Sequence, residues 1–311
     1  MASPTIDRSG LTVADLRGSK GRIRKESAIR GLFLTAAIFS IVISALIVLS
    51  LVREAWTFIS SVDLSTLWDA GWYPRRGQYD ILTLVVGSLL VTGVAMLVAV
   101  PLGLGAAVYL SEYAKPRARR VLKPILEILA GVPSVVLGYF ALTFISPELI
   151  QRIQEDSELF NLAAAGIGVG LLTIPLIASI GEDAMRSVPN SLREASSGMG
   201  ARKITTTTRV VIPAAVSGLV AAFIVAVSRA IGETMVVFIA AGLSGERTFS
   251  IFDSGQTMTA AMASLAAGTD QVRGAENTFQ SLFFVGLLLF LVTLTLNLVA
   301  DRFVRRVRQK Y

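Results

Sequence analysis

Hydrophobic positions in this chain come in long runs rather than in helical stripes or strand-like alternation. Residues 31–52 hold 22 consecutive residues without a charge, about 33 Å of α-helix at ~1.5 Å per residue, against a hydrocarbon core about 30 Å thick. Comparable stretches follow at about 81–110, 125–147, 159–181, 211–242 and 278–300. Six such runs are too many and too long for buried helices of a soluble domain. They predict an all-α polytopic membrane protein with six transmembrane helices. The competing reading of the first run is a cleaved signal peptide, but it exceeds the 7–15 apolar residues of such a leader and no clear small-residue cleavage site follows. We read it as an uncleaved span. It is preceded by a basic tail at 1–28, rich in Gly, Ser and Arg, which predicts disorder. The spans then make one permease domain over 29–305, with a short cytoplasmic C-terminus at 306–311.

Composition agrees with this reading and narrows the chemistry. Of 311 residues, 53% are hydrophobic and only 16% charged, with mean hydropathy +0.65, whereas soluble domains run near ~25% charged. Cysteine and histidine are absent. Their absence removes Cys/His zinc sites, disulfide frameworks, thiol nucleophiles and Ser-His-Asp relays. The net charge of +7 admits nucleic acid, anionic lipid or membrane topology as its cause. Position decides: with the tail inside, 22 Lys/Arg fall in the four cytoplasmic segments and six in the three external ones, where twelve Asp/Glu outnumber them. This positive-inside asymmetry predicts a multi-pass protein of the cytoplasmic (inner) membrane with both termini cytoplasmic. No loop interleaves aromatic and basic residues as a single-strand platform would.

Several spans carry helix-disturbing residues: Pro101 near Gly103 and Gly105, Gly131-Val132-Pro133, and Gly166-x-Gly168-x-Gly170 followed by Pro175. Close helix packing explains the glycines most simply, and kinked spans lining a pathway are the alternative. Two charges stand inside the fifth run. Arg229 and Glu233, four residues apart, lie on one helix face. A charge near the bilayer centre costs ~2.5–3.5 kcal/mol even on the gentler scales, so the two are expected to pair and to face a polar interior. A guanidinium presents five donors in a planar fork suited to an oxyanion. Glu233 would hold it until an anion arrives, and Ser228 and Thr234 would add hydroxyls. Glu127 reads as an interfacial charge, and Arg53 and Glu54 as the solvated end of the first span.

Between the fourth and fifth spans lies a polar segment, 188–213, which predicts a short helix, a left-handed turn at Gly200 and a second short helix. It contains Glu194-Ala195-Ser196, three residues, Gly200, nine residues, and Val210-Val211-Ile212-Pro213. This pattern resembles the EAA loop of ABC-importer permeases. The chain also contains Ser228-Arg229-Ala230-Ile231-Gly232-Glu233-Thr234, Leu129-Ala130-Gly131-Val132-Pro133-Ser134, Val100-Pro101-Leu102-Gly103 and Tyr109-Leu110-Ser111-Glu112, which are similar to the phosphate-specific permeases over roughly 30–305. Met235-Val236-Val237 after the Gly-Glu-Thr favours the C-type subunit over the A-type, which usually continues Ala-Pro.

The resemblance implies a type I ABC importer permease fold and translocation of inorganic phosphate. It assigns Glu194, Ala195, Gly200, Ile212 and Pro213 to coupling with a separate ATPase, and Arg229 and Glu233 to phosphate passage. It further implies three partners: a second, A-type permease, an ATPase dimer and an extracytoplasmic phosphate-binding protein. The chain has no phosphate loop, since Gly is never followed directly by Lys. It is therefore expected to be no enzyme and to hold no cofactor, with ATP and magnesium on the partner. Alternatives are the A-type subunit, a permease for another oxyanion such as sulfate or molybdate, a passive anion channel, and an intramembrane enzyme. The last lacks acid–base candidates. The external stretch 243–276, with its apolar run Met258 to Ala267, is expected either to lie on the membrane surface or to receive the binding protein.

Overall fold

A computed structural model describes residues 20–68, 71–268 and 277–307. Among the described residues, six helices are long and apolar enough to cross a membrane. The chain divides into two units, one ending at Arg53 and one beginning at Glu54.

The first long helix, α1, runs Lys20–Ser61. Helix therefore begins inside the stretch assigned to the basic tail, because Arg24, Lys25 and Glu26 are good helix formers and no Pro or Gly cluster stops propagation backward from the apolar run. Residues 1–19 of that tail lie outside the described residues. Arg53 and Glu54 do not end α1, which continues two turns beyond them.

The second unit contains α2 (Ile81–Tyr113), α5 (Leu162–Arg186), α7 (Lys203–Ile231) and α10 (Thr278–Val307), with α3 (Pro116–Ala130), α4 (Ser134–Ile153) and α6 (Asn190–Gly198) between them. Two short helices, α8 (Met235–Ala240) and α9 (Met258–Ala267), follow α7. A small hairpin precedes α2, pairing Trp72 with Tyr79 and Tyr73 with Gln78. Helix starts are capped by side chains: Asp80 accepts from Leu82 N at the head of α2, and Asn161 accepts from Ala164 N at the head of α5.

Two spans differ from the sequence expectation. The third run, expected as one helix over 125–147, is two. The amphipathic α3 ends where Gly131-Val132-Pro133 interrupts the chain, and α4 restarts at Ser134 and reaches Ile153. Proline disfavours helical backbone in the residue before it, so Val132 cannot continue α3. The fifth run, expected as one helix over 211–242, breaks after Ile231 and resumes at Met235. The charged Arg229–Glu233 stretch thus sits at a discontinuity rather than inside a straight helix.

The central core joins α2, α4, α5 and α8 through small residues: Ala95, Ala141, Ala163, Ala164, Ala165 and Ala240 surround Val91, Val169, Val236 and Val237. In lipid, burial from water does not drive helices together, so close van der Waals approach must. The glycine series of α5 serves this end. A Cβ on Gly166 would lie 2.6 Å from the Val94 Cβ, and one on Gly168 would lie 2.9 Å from a Val236 methyl. These glycines are packing residues. Within the stretch 243–276, the apolar run Met258–Ala267 forms helix α9. Helix α9 packs inward against α10, α8 and α2 with Met258, Ala260 and Ala261 buried.

Candidate functional site

Arg229 occupies the last turn of α7, and Glu233 follows the break at Gly232. Arg229 Nη1 donates to Glu233 Oε2 in a short contact. The pairing expected from an i,i+4 spacing forms, although the helix ends between the two. The partners are asymmetric: the Glu233 side chain is 4% exposed and that of Arg229 47%. Helix α9 fixes the backbone at this point, since Thr259 donates its hydroxyl to the Glu233 main-chain carbonyl oxygen at 2.6 Å. The break leaves backbone groups that α9 and α4 cover, which is how non-helical chain is tolerated at membrane depth.

Arg229 forms part of the wall of a cavity of about 310 Å³. Lys123 and Glu127 of α3, Pro175, Ser179 and Glu182 of α5, and Leu110 of α2 complete the polar and kinked parts of that wall. Glu127, expected to be only an interfacial charge, therefore shares the cavity with Arg229. The two hydroxyls expected beside Arg229 are engaged elsewhere. Ser228 donates to Asn297 Oδ1 of α10 at 3.0 Å, and Thr234 turns back to the Gly232 carbonyl at 3.4 Å. Ser228 points to α10 because it is one residue, about 100° of helix, away from Arg229. The structure brings Arg229 and Glu233 together and turns the Ser228 and Thr234 hydroxyls to other partners.

At the other end of α7 lies the predicted coupling segment. Helix α6 runs Asn190–Gly198, and Gly200 takes φ +77°, the left-handed conformation that reverses the chain. Lys203 then begins α7. Glu194, Ala195 and Gly200 are exposed, Ile212 is half-buried and Pro213 exposed. Met199, 88% exposed, and Ile204 offer an apolar tip. Ser196 and Thr206 hydroxyls meet at 2.9 Å and tie the two arms of the turn. Lys203 stands over the Tyr113 ring, 5.0 Å from its centre.

Two clusters escape a reading of the sequence alone. Arg193 of α6 donates to Glu112 at the end of α2 (2.9 Å) and to the Met185 carbonyl at the end of α5 (2.8 Å). Glu182, fully buried on α5, is surrounded by Arg119, Lys123 and Arg186. Each of these charges sits at the edge of an apolar run, where a solvated side chain is the ordinary expectation. The Tyr109-Leu110-Ser111-Glu112 motif was the one available signal for the first cluster.

Residues 99–311 match the family described as binding-protein-dependent transport system inner membrane component. The probable ABC transporter permease protein YqgH of Bacillus subtilis is 30% identical over 306 residues, covering 95% of this chain and 98% of that protein. The phosphate transport system permease protein PstC of Pasteurella multocida is 29% identical over 292 residues, covering 88% of this chain and 90% of that protein. Among solved structures, a bacterial ABC transporter involved in the import of the acidic polysaccharide alginate aligns with a TM-score of 0.65 at 14% identity, over 93% of this chain and 99% of that one. That likeness concerns the fold.

Proposed function

This chain belongs to the family of binding-protein-dependent inner-membrane transport components, and we propose that it is the C-type permease subunit of an ATP-driven importer for inorganic phosphate. In this reading both termini are cytoplasmic and a second, A-type permease closes the pathway. An ATPase dimer, which binds ATP and magnesium, engages Glu194, Ala195, Gly200, Ile212 and Pro213. An extracytoplasmic binding protein delivers the anion. The chain performs no covalent chemistry.

The observation that carries the reading is the pairing of a sealed carboxylate with a half-open guanidinium on a cavity wall. A guanidinium offers five donors in a rigid fork that matches an oxyanion. Stripping it of every partner inside the membrane is the expensive state. Glu233 prevents that state when the cavity is empty. An arriving phosphate takes over the guanidinium through charge-assisted hydrogen bonds, so one anion replaces another and no bare cation arises. The break after Ile231 gives this end of α7 freedom to adjust during the exchange. ATP-driven movement of the 188–213 segment is transmitted along α7 itself, whose two ends are the coupling turn and Arg229.

Uptake of labelled phosphate by the reconstituted transporter tests the reading. Arg229→Gln is expected to abolish uptake at normal membrane level, and excess sulfate is expected not to compete. Undiminished uptake by Arg229→Gln overturns the relay, and full competition by sulfate reassigns the substrate.

A further inference from the structure

We infer that the cytoplasmic side of the Arg229 cavity holds a second oxyanion station, built by Arg119, Lys123 and Arg186 around the buried Glu182, which receives the phosphate-class anion that leaves Arg229. The inference rests on the reading of Arg229 as an anion site.

The geometry repeats that of Arg229 and Glu233. Glu182 has a side chain 1% exposed, while its cations remain partly open: Arg119 28%, Lys123 32% and Arg186 48%. Arg119 makes the closest contact, Lys123 Nζ lies at 3.3 Å and Arg186 at 3.9 Å. A bridge needed only to hold α3 against α5 would be complete with one cation. Here one sealed carboxylate faces three, and two further acids stand near them: Asp183, 3.8 Å from Lys123 and largely exposed to solvent, and Glu127, which lines the same cavity as Lys123. The space these cations line carries Arg119, Arg120, Lys123 and Arg186 against Glu127, so positive charge dominates its wall.

Continuity with Arg229 is direct. Lys123, Glu182 and Arg229 line the same cavity. Lys123 and Glu127 also line an adjoining space of about 550 Å³, with Arg119, Arg120 and Arg186 on its walls. Along α5 the first cavity extends from Leu172 to Glu182, roughly 15 Å at ~1.5 Å per residue. Ala226, one turn before Arg229, packs with Ile174 and Ile177 of α5, whereas Ala215 of α7 packs with Met185, beyond Glu182, so the two stations stand at different levels along α5. At each, a buried acid holds the cations while the site is empty and yields them to an oxyanion, which keeps a charged residue from being left unpaired. The recognised chemistry is a phosphate oxyanion. It is supplied by the transported ion in this proposal, while an anionic lipid headgroup offers the same group from another source.

The chain contains no cysteine, so a single introduced thiol reports on this site, with the unsubstituted transporter carried through the same treatment as reference. In the complete reconstituted transporter, Lys123→Cys is expected to lower phosphate uptake roughly tenfold, the scale of a lost charge-assisted bond. Aminoethyl methanethiosulfonate, which rebuilds an ammonium there, is expected to restore it, and the neutral methyl reagent is not. Parent-like uptake by Lys123→Cys, or equal rescue by both reagents, overturns the second station while leaving Arg229 untouched.

A binding measurement covers the case of poor assembly. Ser179→Cys, on the same cavity wall, is labelled in phosphatidylcholine nanodiscs in an Arg229→Gln background. Inorganic phosphate at about ten times its Kd is expected to slow labelling roughly tenfold, because the second station still binds. No protection in that background overturns the proposal, and so does protection by phosphatidylglycerol without phosphate. If Arg229→Gln transports normally, the reading of Arg229 itself falls instead.

Discussion

Arg193 and Glu112 join three elements through one guanidinium. Arg193 Nη2 reaches Glu112 Oε1 at 2.9 Å and the Met185 carbonyl at 2.8 Å, while Nη1 reaches the Val188 carbonyl at 2.5 Å. Helix α6 is thus fastened to the last turns of α2 and α5, the two helices whose packing builds the core.

Breaking that fastening is expected to cost stability and transport together. The Glu112 side chain is 7% exposed and that of Arg193 21%, so the pair is less enclosed than a fully buried bridge, and a coupling of about 1–3 kcal/mol is the appropriate scale. A double-mutant cycle with Glu112→Ala and Arg193→Ala, read by unfolding of the purified transporter, measures it. Additive effects of the two substitutions would show that the contact carries no coupling.

Arg229→Lys separates charge from shape. Lysine keeps the positive charge but presents it as a point rather than a planar fork. Phosphate uptake is expected to fall roughly tenfold or more, the scale of one charge-assisted hydrogen bond, with membrane level unchanged. Wild-type uptake by this variant would mean that the fork is not used.

Gly200 has nothing within 4 Å of the place a Cβ would take, yet its φ is +77°. A side chain there is strained through the backbone alone, by about 1–2 kcal/mol. Gly200→Val is expected to insert normally and to lose coupling of ATP hydrolysis to uptake. Measurement of both rates in proteoliposomes decides the point, and intact coupling would remove Gly200 from the docking turn.

Gly87 and Gly93 lie on the same helix and make opposite predictions. A Cβ on Gly87 would sit 2.3 Å from the Gln256 carbonyl oxygen, a backbone atom that cannot rotate away, whereas Gly93 has nothing within 4 Å. Gly87→Ala is expected to destabilise by about 1–3 kcal/mol and Gly93→Ala to be neutral or slightly stabilising. Thermal unfolding in detergent distinguishes them, and equal midpoints would refute the packing of residue 256 on α2.

Asp80, buried just outside the second span, has competing influences on its carboxyl. Burial raises its pKa, but hydrogen bonds from Thr83, Arg247 and Gly71 N, with the Arg247 charge, outweigh it and hold the pKa below the ordinary value. A depressed folded pKa stabilises above the unfolded value of about 3.9 and loses that contribution as pH falls through the folded one. Asp80→Asn is expected to be less stable than the parent at neutral pH and to show a shallower loss on acidification. Parallel pH profiles would exclude Asp80 as the source.

Much of the architecture was legible from runs of residues. Six apolar stretches correspond to six long helices, and the reversal at Gly200 was readable because a left-handed turn favours glycine. The breaks were less legible: Gly131-Val132-Pro133 and Gly232-Glu233-Thr234 each lie inside an apolar run whose average hides a local interruption. The Arg229–Glu233 pair was visible because charges are conspicuous inside a span. The direction of the Ser228 hydroxyl was not legible, because adjacency in sequence places side chains about 100° apart on a helix. Glu182 was overlooked because a charge next to a loop looks solvated until its neighbours are known.

The order of residues alone located six candidate spans, since a run of apolar residues long enough to cross hydrocarbon is a property of the local stretch. It also determined that one arginine and one glutamate had to meet, four positions apart. Tertiary structure decided which charges share a space: Lys123 with Glu182, and Arg193 with Glu112. Those pairings join side chains from separate helices, and an ion pair exists only at distances that the packing of small residues across α2, α5 and α8 sets.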